Sequence, residues 1–266
     1  MNGLCQISAS PSRCTIIAII ATCCILAHVA IAGAADGLLF QSTQKQATLI
    51  ELFTAEGCSS CPPAEASLSR LLGDPGLWKQ FVPVAFHVDY WDGRGWKDQF
   101  ASPAFTERQR AYAAAWKTGS VYTPAFAVNG REWRGAARSN LLAAAGGTGG
   151  VLKVAGAGGN RLRITYSSPS ASEAQWDAHV ALLGSGIVSK IGGGENAGRE
   201  LRHDSVVLKY DRIKMIKSAG SARAELSLPQ NQQGAGSRSA LAVWVTGRDE
   251  MTPRQATGGW LSSTRG

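Results

Sequence analysis

Apolar and polar positions follow different periods in the two halves of the chain. In the first half, Thr48-Leu49-Ile50-Glu51-Leu52-Phe53 and Val82-Pro83-Val84-Ala85-Phe86-His87-Val88 are short, nearly continuous apolar runs of the kind that form buried strands. Between them Ala64, Leu68, Leu71 and Leu72 recur near helical spacing, predicting a helix over 62–72 that stops at Gly73-Asp74-Pro75-Gly76. Two such strands joined by a helix make a parallel, right-handed βαβ unit. Ser102-Pro103 has the form of an N-cap followed by proline at the first helical position, and the helix it opens is predicted to end at Trp116, before Gly119. Residues 124–128 read as a strand, Asn129-Gly130 as a tight hairpin turn and 131–134 as the returning strand. A last helix is predicted to begin over 139–145.

After the glycine cluster at 146–150 the period changes to two. Leu162, Ile164 and Tyr166 alternate with Arg161, Arg163 and Thr165, and further short runs follow at 206–208, 222–228 and 241–245. Short strands with Gly-rich breaks predict an antiparallel sandwich. The chain therefore divides into an α/β domain at 47–145, a Gly-rich linker at 146–150 and an all-β, sandwich-like domain at 151–266. Residues 36–46 are polar and read as a flexible lead-in.

Residues 1–35 read as a targeting segment. Arg13 precedes an apolar run from Thr15 to Ala32, and Ala32-Gly33-Ala34 has the small-x-small form of a cleavage site. The same run approaches the length of a membrane span, which leaves an N-terminal anchor as the alternative. Ile20-Ala21-Thr22-Cys23 has the rough shape of a lipoprotein signal, with Thr22 where a smaller residue is usual. The expected location is periplasmic or secreted, with membrane contact only through an uncleaved N-terminal segment.

That assignment changes the meaning of the cysteines. Of six, Cys5, Cys14, Cys23 and Cys24 lie in the targeting segment, so the mature chain keeps Cys58 and Cys61. A disulfide framework and a four-cysteine zinc site are thereby excluded. The formal charge of +8 is uneven: 47–142 hold ten Lys/Arg against nine Asp/Glu, and 143–266 hold fifteen against nine. No basic run with interleaved aromatics accompanies that excess, so it reads as a solvated face and not as a nucleic-acid site.

Gly57-Cys58-Ser59-Ser60-Cys61-Pro62-Pro63, between a strand and a helix, is the stretch that carries chemistry. Cys58 falls at the helix start, where unpaired N–H groups and the positive end of the helix dipole favour a thiolate. It is the expected attacking sulfur, and Cys61, one turn in, the resolving one. Glu56 opposes thiolate formation, and no cation adjoins the pair in sequence. Pro62 and Pro63 suit a rigid first turn.

The order of elements, with Phe53-Thr54-Ala55-Glu56-Gly57-Cys58-Ser59-Ser60-Cys61 and Tyr122-Thr123-Pro124, resembles the thioredoxin fold over about 47–145. The resemblance implies an α/β thioredoxin-like domain followed by the all-β C-terminal domain, a cis Pro124 facing the cysteines, and Thr123 as the substrate-facing residue. Two positions depart from that pattern: Gly57 stands where an aromatic residue is usual, and Leu52 where a buried acid is usual, with Glu51 on the opposite face of the strand. More closely, Glu51 to Glu65, His87-Val88-Asp89-Tyr90-Trp91-Asp92 and Gly194-Glu195-Asn196-Ala197-Gly198-Arg199 resemble a secreted bacterial family known as domain of unknown function 1223. That resemblance supplies fold and compartment but no substrate.

The leading expectation is an extracytoplasmic thiol–disulfide oxidoreductase acting on protein or peptide cysteines, with Cys58 and Cys61 catalytic, Thr123 and Pro124 contacting substrate, and no cofactor. A second is a copper-binding module using Cys58, Cys61 and His87, since thiolates and imidazole suit that ion; a lone His on an apolar strand is otherwise structural. A third is a secreted binding scaffold with a structural disulfide. His203 and Asp204 are further candidates for contact with the site. Tyr90, Trp91, Trp96, Phe100, Tyr112 and Trp116 are read as packing for the second helix, with a peptide-binding rim as the alternative.

Overall fold

The structure, a computed structural model, describes residues 37–135, 147–169, 175–218, 220–228 and 236–261. The targeting segment expected over 1–35 and the helix expected over 139–145 lie outside those residues.

Among the described residues fifteen strands and two α-helices follow one another: β1 (Leu38–Gln41), β2 (Thr48–Thr54), α1 (Pro62–Ser69), β3 (Phe81–His87), α2 (Pro103–Trp116), β4 (Ala125–Val128), β5 (Arg131–Trp133), β6 (Val151–Gly156), β7 (Arg161–Ser167), β8 (Trp176–Ser185), β9 (Ile187–Lys190), β10 (Glu200–His203), β11 (Val206–Lys214), β12 (Ile216–Ser218), β13 (Ser221–Ser227), β14 (Arg238–Gly247) and β15 (Pro253–Trp260). They form an eight-stranded sheet in the order β15-β14-β8-β11-β3-β2-β4-β5, a five-stranded sheet in the order β1-β6-β7-β13-β12, and the hairpin β9–β10.

This architecture corrects the expectation of an α/β thioredoxin-like domain followed by a separate all-β domain. The protein is mostly β, and its main sheet passes through both halves of the chain. β2 and β3 run parallel, with Thr48 opposite Phe81 through to Thr54 opposite His87. The free edge of β3 is then taken by β11 from the second half, parallel, with Val206 opposite Ala85 and Ala85 N–H donating to Ser205 O at 2.8 Å. An apolar strand with an open edge pairs with whatever strand can reach it. No period in the sequence shows that partner. The lead-in also differs from expectation, because 38–41 form β1, paired antiparallel with β6.

Alternation along the strands explains the layers. Leu49 and Phe53 of β2, Ala181 and Leu183 of β8, and Ala242 and Trp244 of β14 face one core, which α2 covers through Phe105 and Tyr112. Ile50 and Leu52 face the other way, onto Leu68 and Leu71 beside α1. Val180 and Leu182 of β8 and Leu241, Val243 and Val245 of β14 meet Leu152, Val154, Leu162, Ile164 and Tyr166 of the five-stranded sheet. β8 is buried on both faces, so it lacks the two-residue alternation that marks half-exposed strands. The Asn129-Gly130 turn forms as expected, with both residues at positive φ, 48° and 79°.

Two buried polar groups lie in the α2-side core. Arg108 of α2 donates through Nε to Glu51 Oε1 at 2.6 Å, and the Tyr112 hydroxyl donates to the other Glu51 oxygen. The guanidinium sits 5.2–5.5 Å from the centroids of the Phe86, Tyr112, Tyr210 and Trp244 rings. His179 stacks on Trp244, 5.1 Å between centroids, with Nδ1 2.6 Å from the Tyr210 hydroxyl and Nε2 3.0 Å from Thr246 Oγ1. Burial, followed by the Arg108 and Arg212 charges, holds its pKa well below the usual histidine value.

Arg108→Met leaves Glu51 as an unpaired buried charge and is expected to cost about 3–5 kcal/mol in urea unfolding, whereas the Glu51→Leu/Arg108→Met double variant loses less than Arg108→Met alone. A double variant as damaged as the sum of both singles would show that the pair is not coupled. His179 predicts a pH effect. Its folded pKa is depressed, so the unfolded chain takes up a proton that the native state refuses. Stability is complete above about pH 6.5 and falls on acidification by up to about 1.4 kcal/mol per pH unit from this group. His179→Gln is expected to flatten that limb between about pH 6.5 and 5; an unchanged slope in urea midpoints refutes it.

Candidate functional site

The cysteines lie where β2 hands over to α1. Cys61 is the N-cap of the helix, and Pro62 and Pro63 occupy its first positions, where a missing N–H costs nothing. Cys58 and Cys61 are joined by a disulfide with Cα atoms 5.4 Å apart. Both are fully buried, while Ser59 and Ser60 between them are exposed.

What buries them comes from the far half of the chain. The segment between β9 and β10 folds over the motif, and Asn196, itself fully buried, donates from Nδ2 to Glu56 O at 2.7 Å and to Cys58 O at 3.0 Å. Ser59 donates to Glu195 Oε2 from its N–H at 3.1 Å and from its hydroxyl at 2.6 Å. These bonds hold the exposed Glu195 carboxyl below its usual pKa. The close approach requires glycine: a Cβ on Gly193 would collide with Gly95 O, and Gly194 adopts φ +69°, where a Cβ would lie 3.9 Å from Gly57 Cα. On the other side Trp91 packs against Gly57 and donates from Nε1 to Thr123 Oγ1 at 2.8 Å. An aromatic ring thus reaches Gly57 from a distant loop, and the Thr123–Pro124 bond is cis. Trp91 links Thr123 to the motif, and Pro124 lines a shallow depression with Tyr122, Phe126 and Trp133.

Behind the disulfide lies a buried cluster of charged groups. His203 of β10 donates from Nδ1 to Glu65 Oε2 of α1 at 2.5 Å, and its Nε2 is 3.3 Å from Glu56 Oε1 without the alignment of a hydrogen bond. Thr54 donates to the second Glu65 oxygen at 2.6 Å, and Trp96 donates to Glu56 Oε2 at 2.7 Å. His87, at the end of β3, lies with Nδ1 2.7 Å from Asp98 Oδ2, which also accepts from Glu56 N–H. Glu65, His87 and His203 have ligand atoms within 4.8 Å of one another. Burial alone would lower the His203 pKa, but contact with Glu56 and Glu65 outweighs it and pushes it up to about 10. Burial likewise opposes the charged form of His87, and Asp98 and then Glu65 overcome it, leaving its pKa raised. Against the burial that would raise them, Glu65 and Asp98 are held low, Glu65 first by His203 and Asp98 first by His87.

Several sequence expectations change here. His87 belongs with Glu65 and His203, and neither cysteine joins that group, so the copper set of Cys58, Cys61 and His87 is not assembled. His203 does reach the site. Asp204 turns away and accepts the Gly186 N–H at 2.8 Å within the β9–β10 region. Of the six aromatics, Phe100 and Tyr112 are buried, Trp116 stacks on Tyr112 at 5.1 Å, and Trp96 is tied to Glu56, so most serve packing. Glu65, Asp98, Glu195 and Asn196 escaped attention as site residues. A carboxylate at the fifth position after Cys58-x-x reads as an exposed helix residue until its tertiary partner is known.

A mostly β protein with a helix-start disulfide, sealed by a polar cap and backed by buried histidines and carboxylates, is the class that fold and site define. Residues 49–246 match the family described as Protein of unknown function (DUF1223), and the chain belongs to it. No curated protein matches it. Among solved structures it is similar to a crystal structure from Agrobacterium tumefaciens, at 21% identity and TM-score 0.58, covering 84% of this chain and 98% of that one. It is also similar to HBP35 of Porphyromonas gingivalis, at 16% identity and TM-score 0.58, covering 84% and 77%. At those identities the likeness concerns fold alone. Among the described residues no helix is long and apolar enough to cross a membrane.

The cap makes a direct prediction. Asn196→Ala removes two hydrogen bonds to buried carbonyls, worth about 1–3 kcal/mol of closure. Reduction of the Cys58–Cys61 disulfide by a water-soluble phosphine should then accelerate by roughly tenfold per 1.4 kcal/mol lost. A rate equal to wild type, followed by thiol titration, would mean that the cap does not control access.

Proposed function

We propose that this protein is an extracytoplasmic thiol–disulfide oxidoreductase acting on protein or peptide cysteines through Cys58 and Cys61. The observation that carries this reading is the Cys58–Cys61 disulfide at the N-terminus of α1, three residues apart and bordered by exposed Ser59 and Ser60. A disulfide closing so short a loop removes little chain entropy from the unfolded state, so folding stability is a weak reason for it. Exchange chemistry is a stronger one.

In the reducing direction, the Cys58 thiolate attacks a substrate disulfide, forming a Cys58–substrate mixed disulfide and releasing one substrate thiolate. Cys61 then attacks the Cys58 sulfur, closes the internal disulfide and releases the second substrate thiolate. In the oxidising direction the same bonds form and break in reverse order. Thr123 and Pro124 are the residues proposed to meet the substrate backbone, with Trp91 fixing Thr123. Both cysteines are buried, so exchange requires the 191–199 segment to lift from Ser59 and Cys58. A substrate that competes for those hydrogen bonds would be selected over small thiols, which favours a narrow client range. The N-terminal segment, read as a targeting signal, and a cysteine pair held as a disulfide support the extracytoplasmic compartment.

The complete burial of both sulfurs favours one other reading, a secreted scaffold in which the disulfide is structural. Cys61→Ser separates the two. On the oxidoreductase reading, this variant expressed in its native compartment accumulates mixed disulfides through Cys58, seen as non-reducing gel adducts that disappear in Cys58→Ser/Cys61→Ser. Absence of adducts, together with an unchanged thiol state of cellular proteins on Cys58→Ser, would leave the scaffold reading.

A further inference from the structure

The buried cluster behind the disulfide contains more ligating capacity than its hydrogen bonds use. His87 Nε2 is buried without a hydrogen-bond partner, and His203 Nε2 and Glu56 Oε1, 3.3 Å apart, have only each other. Leaving a buried polar atom unmatched costs about 1–3 kcal/mol, so the open His87 nitrogen beside this pair calls for an explanation. Aromatic contacts do not supply one: the His87 and His203 rings stand edge-on at 5.3 Å, and Phe100 stands edge-on to both at 5.4 Å and 5.8 Å.

The second feature is how the imidazoles are held. His87 Nδ1 is fixed by Asp98 at 2.7 Å, and Asp98 is itself fixed by the N–H groups of Glu56 at 2.8 Å and Phe100 at 2.9 Å. A carboxylate on one ring nitrogen, with the other nitrogen left open, is the arrangement that orients metal-binding histidines. Glu65 is likewise held by Thr54. Ligand atoms of Glu65, His87 and His203 already lie within 4.8 Å of one another. Ligands around a tetrahedral zinc-like ion sit about 3.4 Å apart, as bond lengths of about 2.0–2.2 Å require, so displacements on the order of an ångström would complete the geometry.

We propose that Glu65, His87 and His203 form a binding site for a divalent cation of the zinc class, with Asp98 orienting His87 and Glu56, on the far nitrogen of the ring, orienting His203. Two imidazoles with carboxylates favour such an ion over calcium or magnesium, which prefer all-oxygen shells, and over copper(I), which prefers sulfur. The cation takes the place of the protons that now join His203 to Glu65, and these leave to solvent. It would clamp α1, β3, β10 and the turn before Cys58 to one point, a structural role beneath the redox pair. Sequence separation hides the set: Glu65, His87 and His203 lie far apart in the chain, and β3–β11 pairing brings them together. The cysteine sulfurs are not among its ligands.

The full mature chain, stripped with a chelator and dialysed, is titrated with Zn(II) alone by calorimetry, and its thermal midpoint is followed with and without Zn(II). The expected result is one ion per chain and a raised midpoint, as binding to the native state alone requires. His87→Gln and His203→Gln should each weaken binding at least tenfold, and Glu65→Gln, which keeps the side-chain shape, should do the same if a histidine variant fails to fold. Cys58→Ser/Cys61→Ser should bind as wild type does. No stoichiometric binding to the folded wild type overturns the proposal. So does equal binding in a folded Glu65→Gln variant, or loss of binding in the cysteine variant, which would place the ion at the sulfurs instead.

Discussion

The site exists because one parallel register joins two halves of the chain. β11 enters beside β3 with Val206 opposite Ala85, and that pairing fixes where the preceding hairpin must lie. His87 lies two residues after the register point, and the turn between β10 and β11, with Ser205 at φ 58°, carries His203 back beside it, 5.3 Å between ring centroids. The β9–β10 connection then projects over the cysteine motif, where Asn196 and Glu195 bind it. Without β11 in that register, neither the cap nor the buried cluster has its second half.

The sheet holds this register through burial on both faces. Residues on one face of β2, β8 and β14 meet α2, and those on the other meet α1 or the five-stranded sheet. A shift by one residue would exchange the two sets and place Glu51 against the apolar surface of α1 instead of Arg108. The Glu51–Arg108–Tyr112 group is therefore a specificity element as much as a stabilising one: it is tolerable in a dry core only when every partner is present. His179, held neutral between Tyr210, Trp244 and Thr246, obeys the same rule from the uncharged side.

The site combines a buried disulfide with a buried ionic cluster, and the cap couples them. Asn196 bonds both the Glu56 and Cys58 carbonyls, while Glu56 contacts Trp96 and His203 through its side chain. Lifting the cap to expose Cys58 would disturb the Glu56 backbone and with it the environment of His203. Access to the sulfurs and the arrangement of the histidines are thus two aspects of one local opening.

By itself the sequence determined the local pieces. Alternation and helical spacing gave the β2–α1–β3 unit, α2 and the Asn129-Gly130 hairpin, because these depend on neighbours a few residues apart. The Cys58-x-x-Cys61 pair at a helix start was equally legible, since its spacing is a local property. Tertiary structure alone decided that the two halves share a sheet, that β8 is buried on both faces and that residues 38–41 pair as β1. It also placed His87 beside Glu65 and His203. Glu65 lies on a helix whose sequence gives no sign that this turn faces inward, and His203 stands 138 residues away. A charged side chain declares itself as a site residue only when its partners surround it, and those partners are supplied by strand pairing across the chain.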